Sequence, residues 1–378
     1  MSGKNHHSEP FDDSTLVKLD LYRRYVRAWI PVFLNAPNLV VDKIQIFDFF
    51  AGPGRDLNGV SGSPVIALEE IRLALAKDHR NHLEIHLYLN EYMKSKYEIL
   101  RQVCEEPEFK GLVRFHFENL DFAEVIERWG PEFSREFNDP VITANLLFLD
   151  QNGTKQITQP VFRKIVTADR TDFLFFIASS YINRFKMQPQ NRAGTPIEDS
   201  DLVGMTTKNA HRRVCNAYKR WLPCECEYYL APFSIAKDKG SNVYGLIFGS
   251  GHPAGIDKFL RICWEEDTLR GEANYDIDGE HLNINQPMLW ESMEVPNKLQ
   301  LFERDLREQV LSRQLCTNVA VYKFALLEGC RASHAKDVLE KMVKEKLLPK
   351  QRFSISYEAC GFRGSVPKAI LYPDGGGR

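Results

Sequence analysis

No apolar run in this chain approaches the roughly 20 residues that crossing a bilayer requires, and none reads as a membrane span. The opening stretch, Met1 to Asp13, is polar and carries His, Asp and Glu where a secretory signal would be basic and then apolar, so a cytoplasmic location is expected. Cysteines with two residues between them, as in structural zinc or redox pairs, are missing: of eight, only Cys224 and Cys226 lie close together, with one residue between them. Reduced, mostly buried thiols are expected, and the chemistry calls for no metal. Excess charge of one sign is missing as well, with 49 basic against 51 acidic residues, so nucleic acid is neither demanded nor excluded.

What is present is ordinary globular material, 378 residues with 43% hydrophobic and 26% charged, enough for one large domain and smaller units. Its most informative stretch is Lys43-Ile44-Gln45-Ile46-Phe47-Asp48-Phe49-Phe50-Ala51-Gly52-Pro53-Gly54. The β-branched and aromatic run predicts a buried parallel strand, and the two glycines predict a sharp turn with room for a ligand. Such corners at the carboxyl edge of a parallel sheet bind nucleotide-like molecules. Ser63 and Pro64 follow as expected N-cap and first helical residue, aiming a helix N-terminus back at the turn. No Gly-Lys-Ser/Thr closes a phosphate loop, and Leu57 stands where a dinucleotide fingerprint has its third glycine. S-adenosylmethionine is the remaining common reading; the plain alternative is an unliganded strand-to-helix turn.

The rest of the chain supplies neighbours for that corner. Leu16, Leu19, Tyr22, Val26, Trp29, Ile30 and Phe33 recur at helical spacing, and Lys18, Arg23, Arg24 and Arg27 between them read as a solvated face. The second strand, 82–90, ends at Glu91, an expected ribose ligand, with a surface acid as the plain alternative. A third, 113–117, leads to Asn119 and Asp121, either of which would bond adenine, Asp121 alternatively being a helix N-cap. A fourth, 144–149, ends in Asp150-Gln151-Asn152-Gly153, facing the same crevice, and a fifth runs over 173–178. This alternation predicts an α/β fold with a five-strand parallel run and helices on both faces. Residues 186–240 read as an insertion, either a cap or inert packing, with a strand pair from 226–235 and 243–249 completing the sheet.

The expected domains are a disordered 1–13, an α/β domain over 14–295 and a small domain over 296–378. Helices over 302–311, 319–327 and 333–347 followed by a hairpin of 352–357 with 369–372 form a winged helix-turn-helix pattern. Between Arg331 and Arg352, seven basic residues face three acids, which favours phosphate contact; protein docking is the alternative.

Phe49-Phe50-Ala51-Gly52-Pro53-Gly54 together with Gly62-Ser63-Pro64-Val65-Ile66-Ala67-Leu68 resembles the signature of the three-Cys-motif partner proteins, a bacterial group similar to class I methyltransferases. Thr15-x-x-Lys18, Tyr25-x-x-x-Trp29, Tyr244-x-Leu246-Ile247-Phe248 and the winged-helix-like tail add to the resemblance, which spans about 14 to 350. It implies a Rossmann-like methyltransferase sheet, S-adenosylmethionine as cofactor, and a partner that is a radical-enzyme-like protein bearing three cysteines. DNA or RNA would contact the C-terminal domain. That family ends its fourth strand in Asp-Pro-Phe-Gly, similar to the Asp-Pro-Pro-Tyr of amino-directed nucleic-acid methyltransferases, whereas this chain has Gln151 and Asn152 there. Expected cofactor contacts are therefore Asp48, Ala51, Gly52, Gly54, Glu91 and Asn119 or Asp121, with Asp150 and Asn152 orienting the acceptor. A binding module that has lost transfer chemistry is the rival reading; a nicotinamide oxidoreductase is a third.

Overall fold

The computed structural model describes residues 10–35, 41–77, 83–134, 141–151, 153, 156–184, 194–237, 242–277, 296–361 and 365–373. Contacts divide the chain into two units, Met1–Gly251 and His252–Arg378, an earlier break than the expected 295/296.

The first unit is a seven-stranded sheet. Its strands are β1 (Lys43–Asp48), β2 (Glu84–Asn90), β3 (Arg114–Glu118), β4 (Thr143–Asp150), β5 (Thr171–Ile177), β6 (Tyr229–Lys237) and β7 (Asn242–Ser250). The order is β3-β2-β1-β4-β5-β7-β6, with the first five parallel and β7 antiparallel to both neighbours. β1 and β5 are buried at every position, as strands covered on both faces must be. One face carries Phe47, Phe49, Tyr88, Leu147, Phe173 and Phe175 against α4 (Phe122–Phe133), α5 (Gln159–Val166) and α8 (Ala210–Lys219). The Phe47 ring stacks 4.3 Å from Tyr88 and meets Phe133 edge-on at 5.5 Å. Each such ring, fully buried, contributes roughly 1.5–3 kcal/mol. Alternate positions along β1 send Asp48 to the opposite face, where α1 (Asp13–Asn35) and α2 (Ser63–Leu75) pack together.

Two expectations change here, and for one helix of the insertion an open alternative narrows to packing. Residues 1–9 lie outside the described set, but 10–13 are ordered: the Phe11 N–H donates to Asp56 Oδ2 (2.9 Å), and Asp12 Oδ1 accepts from the Thr15 N–H (2.8 Å), as an N-cap does. The basic residues of α1 are not simply a solvated face: Arg23 and the largely exposed Arg27 reach Glu70 on α2, and buried Lys18 reaches Asp150. Within the insertion, α8 is core packing, with Tyr218 centred 5.3 Å from both Phe162 and Phe175.

The second unit contains α9 (Pro253–Glu266), α10 (Lys298–Leu311), α11 (Asn318–Leu327), α12 (Ala332–Lys344) and the short α13 (Tyr357–Cys360). The expected hairpin does not form among the described residues. Asn318 separates its two halves, donating to the Ser354 carbonyl (3.0 Å) and accepting from the Lys368 N–H (2.7 Å), while Ala369 bridges to Thr317. Ser356 meanwhile caps α13 over the segment expected to be strand. Among the described residues no helix is long and apolar enough to cross a membrane.

Candidate functional site

Leaving β1, the sheet is extended by β2 on one side and β4 on the other, so the loops after β1 and β4 diverge and open a crevice at their carboxyl ends. The loop after β1 turns through Gly52 (φ 64°) and Gly54 (φ 88°), left-handed conformations that a side chain strains. Gly62 closes it: its N–H donates to the Gly54 carbonyl at 2.7 Å, and a Cβ there would lie 2.9 Å from that oxygen. Gly62, not Ser63, is the N-cap of α2, with Pro64 in the first turn. Ser63 is spared for another bond, its Oγ donating to Asp48 Oδ2 at 2.6 Å.

Asp48 is 1% exposed. Burial pushes its carboxyl up to about 7, opposed by the bonds from Ser63 and from the Phe50 N–H and reinforced by the negative charges of Asp150 and Glu91. Tyr22 is fully buried, its hydroxyl has no hydrogen-bond partner, and its ionisation is suppressed by burial and then by the charge of Asp48. Glu91 is also buried; it accepts from the Gly52 N–H (3.0 Å) and the Met93 N–H (2.7 Å), tying the glycine turn to the tip of β2. Each of its oxygens keeps a lone pair for a hydroxyl. Half-buried Lys96 on α3 (Lys94–Cys104) is lowered by desolvation, against the pull of Glu91.

The other expected residues separate. The Ala51 N–H donates to the Asn90 carbonyl (2.9 Å), pinning the turn to β2. Asn119 Nδ2 donates to the carbonyls of Glu91 (2.6 Å) and Tyr92 (2.9 Å), shaping the β2 loop from beside it. Asp121 is the N-cap of α4, accepting from the Glu124 N–H at 2.9 Å in a capping box. Asp150 holds the tip of β4 and accepts from Lys18 Nζ at 2.8 Å. Asn152 lies outside the described residues. Gln151 is buried; its Oε1 takes the Gln156 N–H (3.0 Å) and its Nε2 has no partner.

Sequence reasoning missed Lys18, Tyr22 and Asn90. Asn90 stitches the loop ends, donating to the Phe49 and Leu120 carbonyls (3.2 and 3.1 Å) and accepting from the Leu120 N–H (3.1 Å). For Lys18 a signal existed: it shares one helical stripe with Tyr22, Tyr25 and Trp29, all buried, so a lysine stood on the apolar face.

The chemistry of this crevice is cationic in its preference. The negative charges of Glu91 and Asp150 both act on Asp48, an acidic grouping that repels a pyrophosphate and suits a ligand bearing positive charge beside its hydroxyls. Neither a protein-family model nor a curated protein matches the chain. Several solved structures with likeness to it are named as methyltransferases. A loganic acid methyltransferase with SAH is 9% identical over 62% of this chain and 78% of its own, at a TM-score of 0.33. The DszA carbon methyltransferase is 17% identical over 61% of this chain and 53% of its own, at 0.35. TYW2 of P. horikoshii, in complex with MeSAdo, is 9% identical over 63% and 62%, at 0.27. Such values lie well below those that would assign a family.

Proposed function

We propose that the first unit is an S-adenosylmethionine-dependent methyltransferase whose cofactor lies at the diverging ends of β1 and β4. One observation carries the reading: Asp48, a buried carboxylate without a cation of its own, stands beneath a left-handed glycine turn and beside Glu91. The residues present fit the group. Asp48 would take the α-ammonium of its methionine portion, the turn at Ala51, Gly52 and Gly54 would pass along its chain, and Glu91 would accept from its ribose. Asn119 would shape the adenine end through the β2 loop, and Asp121 would act there only as the cap of α4. When bound, the cofactor supplies a methyl group on a sulfonium leaving group, so the chain must orient an acceptor and exclude water rather than perform strong base chemistry. Asp150 would give that orientation, and Asn152, outside the described residues, is expected to share it.

The finer reading is of the three-Cys-motif partner type, acting with a protein partner and on nucleic acid. Its support is the glycine-turn signature and, in the second unit, Lys344, Lys346, Lys350 and Arg352, which have no acidic partner among the described residues, whereas Lys341 is held by Glu303 at 2.6 Å. A scaffold that binds without transferring is the second reading, favoured by Gln151, whose side chain folds the tip of β4 back onto Gln156.

Isothermal titration of the full chain with S-adenosylmethionine, S-adenosylhomocysteine and NADH tests the cofactor. Uptake of the first two and not the third is expected; preferential NADH uptake, or none of the three, defeats the reading. Release of S-adenosylhomocysteine in the presence of a nucleic-acid or protein acceptor then separates transferase from scaffold.

A further inference from the structure

Among the described residues, Lys18 and Lys298 both hold an acid with little exposure, and they are satisfied differently. Lys298 Nζ has three oxygens around it, Glu272 Oε1 at 2.7 Å and the carbonyls of Arg270 and Gly329 at 3.0 Å each. Lys18, with a side chain 10% exposed, has one: Asp150 Oδ1 at 2.8 Å. Its ammonium otherwise lies against two aromatic faces, 5.1 Å from the centre of Phe176 and 4.6 Å from that of Tyr244. Three donors with one acceptor is an incomplete set for a permanent structural cation. It is the environment of an exchangeable one.

The surroundings belong to the sheet and not to the helix that brings Lys18. Asp150 on β4 stands opposite Phe176 on β5, Phe176 opposite Leu246 on β7, and Tyr244 lies two residues from Leu246 and so on the same face. A carboxylate between aromatic faces is how proteins recognise alkylammonium groups. The cage also has a way in, since the Asp150 side chain is 28% exposed and Tyr244 is only half-buried.

We propose that Asp150, Phe176 and Tyr244 form a subsite for a primary alkylammonium group, that Lys18 occupies it in the free chain, and that the amine acceptor displaces Lys18 on binding. The role as acceptor rests on the methyltransferase reading; the subsite itself does not. The class is an aliphatic amine, which at this subsite takes the place of the nucleic-acid acceptor of the finer reading above, since the exocyclic nitrogen of a nucleobase carries no full positive charge for two ring faces to attract. In transfer, the acceptor ammonium passes a proton to the Asp150 carboxylate and thence to water. The nitrogen lone pair forms the new N–C bond as the methyl C–S bond breaks, and that electron pair stays on sulfur.

Lys18→Ala deletes Cγ, Cδ, Cε and Nζ, the atoms of n-propylammonium, which is therefore the probe, with n-propanol as its neutral counterpart. Calorimetry of K18A is expected to show n-propylammonium binding at least about tenfold tighter than n-propanol, a preference for the cation that aromatic and acidic contacts supply. Adding Asp150→Asn is expected to cut that preference several-fold, to what the Phe176 and Tyr244 faces supply by themselves. Equal binding of the two probes, or none, overturns the proposal. Wild-type protein gives a second test that does not depend on K18A folding. With 13Cε-lysine, the Lys18 resonance is displaced by the two rings and is expected to move to the position of exposed lysines as n-propylammonium is added; a resonance that stays put overturns the proposal. Nα-acetyl-lysine amide and spermidine in the same titration separate a protein side chain from a free polyamine, and displacement by neither counts against the subsite. Cofactor uptake with an unmoved Lys18 defeats this inference alone, while a displaced Lys18 without cofactor uptake defeats the methyltransferase reading alone.

Discussion

Asp48 and Glu70 are both buried acids on the α1 and α2 side of the sheet, and their surroundings have opposite effects. Glu70 accepts from Arg27 at 2.8 Å through each oxygen and from Arg23 at 3.2 Å, and those cations hold its carboxyl below the ordinary range despite burial. Asp48 has a serine hydroxyl and one backbone N–H but no cation, and burial wins, taking it to about 7. Glu70 ties α1 to α2 and is complete within the chain. Asp48 is incomplete, and stands at the crevice where a ligand's charge would complete it. A buried carboxylate marks a site when the chain itself supplies no counter-charge.

The contrast can be broken by substitution. Asp48→Asn is expected to act most strongly and in two directions: at pH 8 the chain gains on the order of 4 kcal/mol, because a charge held about 3 pKa units above its ordinary value is removed. S-adenosylmethionine affinity falls by about 1.5–3 kcal/mol with the loss of a charge-assisted bond. Denaturant melts and calorimetry on one preparation check both. Glu70→Gln is the mirror image, losing about 2–3 kcal/mol of stability, since Arg23 and Arg27 are left without their acid, while cofactor affinity stays level.

The pH response sharpens the same contrast. Asp48 titrates higher folded than unfolded, so the folded chain binds its proton more tightly and stability falls as pH rises from about 4 through about 7. Glu70, held low, contributes stability above its ordinary pKa and loses it only as pH falls through the acid range. Between pH 5 and 7 Asp48 alone of the two should move the melting curves, by roughly 2 kcal/mol, and D48N should flatten that interval. The smallest expected effect is that of Gly62→Ala, whose Cβ would meet the Gly54 carbonyl at 2.9 Å. About 1 kcal/mol of stability is lost as the turn shifts, together with a several-fold loss of cofactor affinity that Glu70→Gln does not share.

How much of this was legible in the sequence follows from the range of each interaction. The β1 strand, its glycine turn and the alternation that builds five parallel strands are written in neighbouring residues, and they stand as expected. Asp121 shows the limit of that reasoning: a strand-end acid followed three residues later by Glu124 is also a capping box, and the helix claims it. Ser63 looked like a cap because the true cap, Gly62, has no side chain to announce itself, and Asp48 takes the hydroxyl instead. Lys18 and Asp150 lie 132 positions apart, so no local pattern joins them. The expected hairpin failed for a similar reason, since Asn318, from α11, takes the backbone groups that the two segments would have shared.

The central claim is that Asp48 waits for the cation of the cofactor, and proton release on binding measures it. At pH 7 a group titrating near 7 is half protonated, and an ammonium beside it drives the proton off. Titration of S-adenosylmethionine into the chain, repeated in buffers of different ionisation enthalpy, should therefore report release of about half a proton per cofactor bound, and D48N should report none. Binding heats that do not depend on the buffer, or equal proton release from D48N, would contradict the assignment of Asp48 and with it the placement of the cofactor.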